Sequence, residues 1–217
     1  MRINQSVIAT DGGVRATWAE VNLTRLEHNL AAIKRRVAPA KMMLIVKANA
    51  YGHGLAEVSK ALAGKTDYVG VAVLEEGMLL RELGVTAPII VLGGIWGDQI
   101  LLYLKNDLTL TASSVERLEQ IDAVAGQMGV KAKVHLKIDT GMERIGIHYY
   151  SASLLQEAAL KCKHVEVESI RSLNWSTFRA IVCRVYPDWQ SSRTAENESM
   201  DIDVVCICFW RSLYHDL

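Results

Sequence analysis

Two short runs hold the residues whose types and spacing suit chemistry. The first is Val46-Lys47-Ala48-Asn49-Ala50-Tyr51-Gly52-His53-Gly54, which sets a primary amine at the end of an apolar stretch and follows it with a glycine-rich turn. An ammonium aimed into an apolar space is costly to desolvate unless it is paired or its pKa falls, and such an amine is the nucleophile of Schiff-base chemistry. Met43, Ile45 and Lys47 share one face of an extended chain, so the amine points where those apolar side chains point. From position alone, a lysine snorkelling from a strand end to water fits equally well. The second run is Lys137-Ile138-Asp139-Thr140-Gly141-Met142-Glu143-Arg144-Ile145-Gly146. Here Val134, Leu136 and Ile138 alternate with Lys133, His135, Lys137 and Asp139, which puts a row of polar groups on the face opposite the apolar one. Lys133 and His135 are expected near the far rim, in water. Arg144, in the loop beyond, is suited to a charge-assisted hydrogen bond to a ligand anion or ring oxygen.

Those residues need elements to hold them. Short β-branched or apolar runs at 42–46, 68–73, 89–92, 108–112, 134–138 and 165–170 read as strands. Between them, 55–63, 74–83, 99–105, 115–127 and 152–161 carry apolar residues every three or four positions and read as amphipathic helices. Ahead of these lie a short strand at 16–21 and a helix at 23–37 with Asn22 as its N-cap. Ser113 with Glu116 reads as a capping box, and Gly64, Gly84 and Gly129 stand where left-handed C-caps are wanted. Strand and helix in regular alternation make a parallel sheet. Eight such units close as a (β/α)8 TIM-type barrel, and here only about six strands are found, so an incomplete barrel is expected. In such folds the carboxyl ends of the strands carry the active site, which is where Lys47 and Arg144 fall.

Composition narrows the function. The 217 residues are 50% apolar and 22% charged, with 24 basic and 24 acidic side chains, so neither nucleic acid nor an anionic membrane is expected as a partner. No apolar run approaches the roughly 20 residues of a membrane-spanning helix, and the first residues contain no apolar signal core; the expectation is a cytoplasmic protein. Cys162, Cys183, Cys206 and Cys208 lack metal-ligand spacing, so no metal site is expected. The composition changes near Ile170: all 15 glycines lie before it, whereas both phenylalanines lie after it. The expected organisation is therefore a flexible N-terminus (1–15), a partial barrel (16–170), and an atypical tail (171–217) with the character of an out-of-frame translation, a divergent but genuine segment being the alternative.

The run around Lys47, the run from Lys137 to Gly146, and the opening Thr17-Trp18-Ala19-Glu20-Val21-Asn22-Leu23 together resemble the alanine racemases, which are pyridoxal 5'-phosphate enzymes. The resemblance covers roughly residues 16–170. It implies a barrel followed by a β-rich C-terminal domain, in a homodimer that interconverts L- and D-alanine and supplies D-alanine for peptidoglycan. It implies that Lys47 carries the cofactor and is the base on one face of the substrate. By the same carry-over Tyr51 bonds the cofactor phosphate, Arg144 the phenolic oxygen, and Lys137 holds Arg144. Trp96, in Gly-Gly-Ile-Trp-Gly, matches a residue beside the cofactor, with simple packing as the competing reading.

The chain also departs from the pattern. The strand at 165–170 should lead into a run whose histidine stacks on the cofactor ring, but Arg171, Ser172, Leu173, Asn174 and Trp175 follow instead. The second base, a tyrosine that the family takes from the partner's C-terminal domain, is not found. The expectation is an inactive or weakly active fragment. The rival readings are a non-enzymatic pyridoxal-phosphate-binding barrel and a fragment with no ligand.

Overall fold

Local signals set the elements. In the computed structural model, which describes residues 20–172 and the backbone of 204–207, Asn22 caps helix α1 (Leu23–Val37) by accepting from the Arg25 N–H at 3.0 Å. The chain then alternates: β1 (Lys41–Ile45), α2 (Leu55–Leu62), β2 (Tyr68–Val71), α3 (Leu74–Glu82), β3 (Ile89–Val91), α4 (Ile100–Lys105) and β4 (Leu108–Ala112). It continues through α5 (Val115–Met128), β5 (Ala132–Asp139), the two-residue β6 (Ile147–His148), α6 (Ala152–Lys161) and β7 (Val165–Arg171). The six strands expected between 42 and 170 and all six expected helices are present. The cap of α5 is displaced by one residue: Ser114, not Ser113, accepts from the Arg117 N–H. Gly84 and Gly129 take the left-handed conformation, but Gly64 sits inside a 3-10 turn instead. Of the strand expected at 16–21, all but Glu20 and Val21 lies outside the described residues, and those two are not in a strand.

Every pairing in the sheet is parallel. The path runs β6-β5-β4-β3-β2-β1-β8, and β7 also pairs with β5. The strand β8 (Val204–Ile207) lies along β1, with Lys41 opposite Val204 and Leu44 opposite Ile207. It lies in the atypical tail, outside the strands expected from the sequence, and its apolar run Val204-Val205-Cys206-Ile207 has the composition of a parallel strand buried on both faces. The remainder of the tail, 173–203 and 208–217, lies outside the described residues. No helix among those described is long and apolar enough to cross a membrane.

The two faces of the sheet pack differently. Met42, Leu44, Val69, Val91, Leu110 and Val134 face the helices and form one continuous core with Val58, Leu80, Leu118 and Leu155. Each such side chain contributes roughly 2 kcal/mol when fully buried. Met43, Ile45 and Ile90 form a second, smaller cluster on the inner face, with Tyr51, Tyr68 and Leu92 against it. Gly70 permits this: a Cβ there would lie 2.6 Å from Ile45 Cδ1 and 3.1 Å from Met43 Sδ.

Below the sheet, Arg81 of α3 ties together two connections, the one from α3 to β3 and the one from α4 to β4. Its guanidinium donates to the carbonyls of Asn106 (3.0 Å), Val85 (2.6 Å), Ala87 (2.8 Å) and Asp107 (2.7 Å). Burial holds the guanidinium below its ordinary value, partly offset by Asp107. A lysine has a single nitrogen and cannot reach this spread of acceptors. Arg81→Lys should therefore lose about 2 kcal/mol of stability in urea unfolding; an unchanged midpoint would show that the network is dispensable.

Candidate active site

The chain leaves β1 in an unusual way. Ala48, Asn49, Ala50 and Tyr51 all have φ between 52° and 56°, and Gly52 follows at 86°, so the residues after Lys47 make one left-handed turn. A left-handed conformation costs an L-residue roughly 1–2 kcal/mol, so four non-glycine residues need compensation. The turn supplies part of it internally, Ala50 N–H donating to Val46 C=O at 2.7 Å and Gly52 N–H to Ala48 C=O at 3.2 Å. Asn49 accepts through Oδ1 from the Leu55 N–H at 2.8 Å and so fastens the turn to the start of α2. The His53 ring lies 2.9 Å through Nδ1 from Ala50 C=O. Glu76 reaches across from α3, accepting from the Ala48 N–H at 2.6 Å and the Ala72 N–H at 2.7 Å. The result is a half-buried Lys47 at the carboxyl end of β1, with Tyr51 packed on the inner cluster of Met43, Ile45 and Ile90.

The loop after β5 is organised by one carboxylate. Asp139 Oδ1 accepts from the amides of Gly141 (2.8 Å), Met142 (2.9 Å) and Glu143 (3.1 Å), and Oδ2 from that of Arg144 (3.0 Å). These amide bonds, chiefly that of Gly141, hold the Asp139 carboxyl down at about 2. Gly146 ends the loop with φ of 121°, where a Cβ would lie 2.8 Å from Lys137 C=O; only glycine lets the chain press onto β5 there. Lys137 is buried on the inner face and Arg144 is exposed. The Trp96 loop meets this one, since a Cβ on Gly94 would lie 3.6 Å from Ile145 Cδ1. Trp96 itself is 82% exposed.

Lys47, Trp96 and Arg144 thus follow the carboxyl ends of β1, β3 and β5, which parallel pairing brings to one end of the sheet. His135 departs from expectation. It is fully buried, not in water, whereas Lys133 is exposed as expected. Its Nε2 lies 3.5 Å from Glu168 Oε2, its ring meets Tyr68 edge-on at 5.6 Å, and neither ring nitrogen completes a hydrogen bond. Glu168 lies on the inner face by alternation with Val165 and Val167, and a bulge follows: Val134 pairs with Val167 but His135 with Ser169, so Glu168 is the extra residue. Glu168 and Ser169 then both turn inward, and Glu168 accepts from Thr109 at 3.1 Å. Sequence alternation gives the inward Glu168 but cannot show the inward Ser169 beside it, because a bulge breaks the period of two.

A parallel sheet alternating with helices, incomplete as a barrel and with its polar side chains gathered beyond the strands' carboxyl ends, is the arrangement of a (β/α) barrel enzyme. The family model for the alanine racemase N-terminal domain matches residues 21–175, and the chain belongs to that family. It is 41% identical over 162 residues to an alanine racemase of Caldanaerobacter subterraneus subsp. tengcongensis, covering 73% of this chain and 42% of that protein. Against the alanine racemase of Methanococcus maripaludis it is 39% identical over 156 residues, 70% of this chain and 42% of the relative. The structure superposes on alanine racemase of Clostridium difficile 630 with a TM-score of 0.78 at 28% identity, over 89% of this chain and 60% of that one. The chain therefore spans less than half the length of the curated relatives it matches.

Two pH effects follow. Asp139 has a folded pKa below its ordinary 3.8, so its contribution is complete above that value and is lost as pH falls toward about 2. Asp139→Asn should cost about 2 kcal/mol at neutral pH and flatten the acid limb of a stability-against-pH curve. An unchanged acid limb would contradict the assignment. Burial also holds His135 below 6.5, with Glu168 opposing and Arg171 assisting. The unfolded chain then takes up a proton that the folded one refuses, and stability should decline as pH falls from 6.5. His135→Leu should remove that decline in chemical denaturation between neutral and mildly acid pH, and its persistence would assign it to other groups.

Proposed function

We propose that this chain is the cofactor-anchoring part of a pyridoxal-phosphate-dependent alanine racemase. The observation that carries the reading is the position of Lys47, a half-buried amine at the carboxyl end of β1, on a turn whose Tyr51 packs on the apolar inner cluster. The donor set fits the cofactor: an amine for its aldehyde, a phenol and a guanidinium for its anionic oxygens, and an apolar floor. Pyridoxal phosphate, when bound, supplies an electron-withdrawing ring that acidifies the α-carbon proton of an amino acid.

The remaining work belongs to side chains. Lys47 anchors the cofactor and, through Nζ, takes or returns the proton on one face of the α-carbon. Tyr51 donates its hydroxyl to the phosphate, and Arg144 donates to the ring's phenolic oxygen from the loop that Asp139 shapes. Lys137 supports Arg144 from β5, and Trp96 flanks the opening. Racemisation needs a second proton donor on the opposite face, and none is assigned among the described residues. In the complete family protein a partner subunit in a homodimer is expected to supply it, with alanine as substrate. A cytoplasmic location goes with this reading.

The test adds pyridoxal phosphate to purified protein, follows the visible spectrum, fixes the adduct with borohydride and maps the labelled lysine. Label concentrated on Lys47, and lost in Lys47→Ala, is the expected result. Label spread over surface lysines, or absent from folded protein, would overturn the reading. D-alanine formation should be lower than in a complete family enzyme by about 100-fold or more, the contribution of a missing general acid or base. Ordinary turnover would show that the second proton donor lies within this chain.

A further inference from the structure

We propose that Glu76 is the positioning residue for Lys47, holding the peptide on which the amine is mounted. The inference rests on the reading of Lys47 as the anchoring amine. Glu76 lies in the first turn of α3, where a carboxylate that accepts from a preceding amide is an ordinary helix cap, and its Oε2 makes that bond to the Ala72 N–H at 2.7 Å. Capping needs one oxygen. The other leaves the helix altogether and accepts at 2.6 Å from Ala48, 28 residues earlier in the chain. Both bonds are at the short end for N–H···O, as charge-assisted ones are.

The Ala48 N–H belongs to the same peptide plane as the Lys47 carbonyl. Later amides of the turn are satisfied within it, Ala50 by Val46 and Gly52 by Ala48, whereas the Ala48 amide is met by Glu76. Glu76 therefore acts at the residue where φ first becomes positive, and Asn49 fastens the far end to Leu55. One carboxylate thus couples the ends of β1 and β2, the start of α3 and the direction in which Lys47 departs. It touches neither substrate nor cofactor in this role.

The variants separate reach from charge. Glu76→Gln keeps the length but has one acceptor for two N–H donors; Glu76→Asp keeps the charge and is one methylene too short to serve both. Glu75→Gln, at the exposed neighbouring position, is the control. Each is compared with wild-type protein by thermal unfolding, by amide exchange of the segment 46–54 without cofactor, and by borohydride-fixed label on Lys47 with limiting pyridoxal phosphate. The expected result is a cooperative fold in all, with exchange at least tenfold faster and Lys47 label at least tenfold lower in both Glu76 variants, and no change in the control. Wild-type labelling in the Glu76 variants overturns the inference and leaves the Lys47 reading intact, even if exchange accelerates. No Lys47 label in wild-type protein overturns that reading and this inference together. Should Glu76→Gln fail to fold, Glu76→Asp, which retains charge at the start of α3, decides the matter by the same measurements.

Discussion

Parallel pairing is the constraint on which the rest depends. When every strand runs the same way, the chain must return between strands, from β1 to β7 through a helix in all cases but the short loop from β5 to β6, and all carboxyl ends collect on one side. Groups far apart in sequence, such as Lys47, Trp96 and Arg144, then share one end of the sheet without any direct attraction between them. The same constraint buries both faces of the central strands, which is why Met42 to Ile45 are apolar throughout and do not alternate.

A site at strand ends faces a second difficulty: the backbone there has left the ladder, and its amides need other acceptors. Two carboxylates meet that need. Asp139 gathers four consecutive loop amides, and Glu76 gathers two from the segments that follow β1 and β2. Both are acidic residues close to residues of cationic type, yet their hydrogen bonds are to main chain. Their effect is on the shape of the backbone.

Much of this is legible in the sequence, and what escapes has definite causes. The strands and helices follow from apolar periodicity, and the inward row on β5 from simple alternation, as the burial of Lys137 and Asp139 bears out. Asn22 is visible as a cap because short polar side chains have few other uses before an amphipathic run. The left-handed turn is not visible, since Ala48, Asn49 and Ala50 carry no glycine signal and are held by contacts made 28 residues away. His135 is misplaced by sequence reasoning because alternation gives the face of a residue and not its depth: the ring is closed in by Tyr68 and Glu168, which come from other strands.

The pairing of β8 with β1 has a bearing on how the sheet is assembled. Neighbouring strands from β1 to β5 join partners close in sequence, as Met43 does with Tyr68, so each can form soon after its residues are available. Lys41 meets Val204 across most of the chain, and closing so long a loop carries an entropy that grows with the logarithm of its length. On a ribosome, that edge of β1 waits with its amides and carbonyls unpaired until Val204–Ile207 has been made. During that interval it is the part of the nascent sheet most open to a strand from another chain.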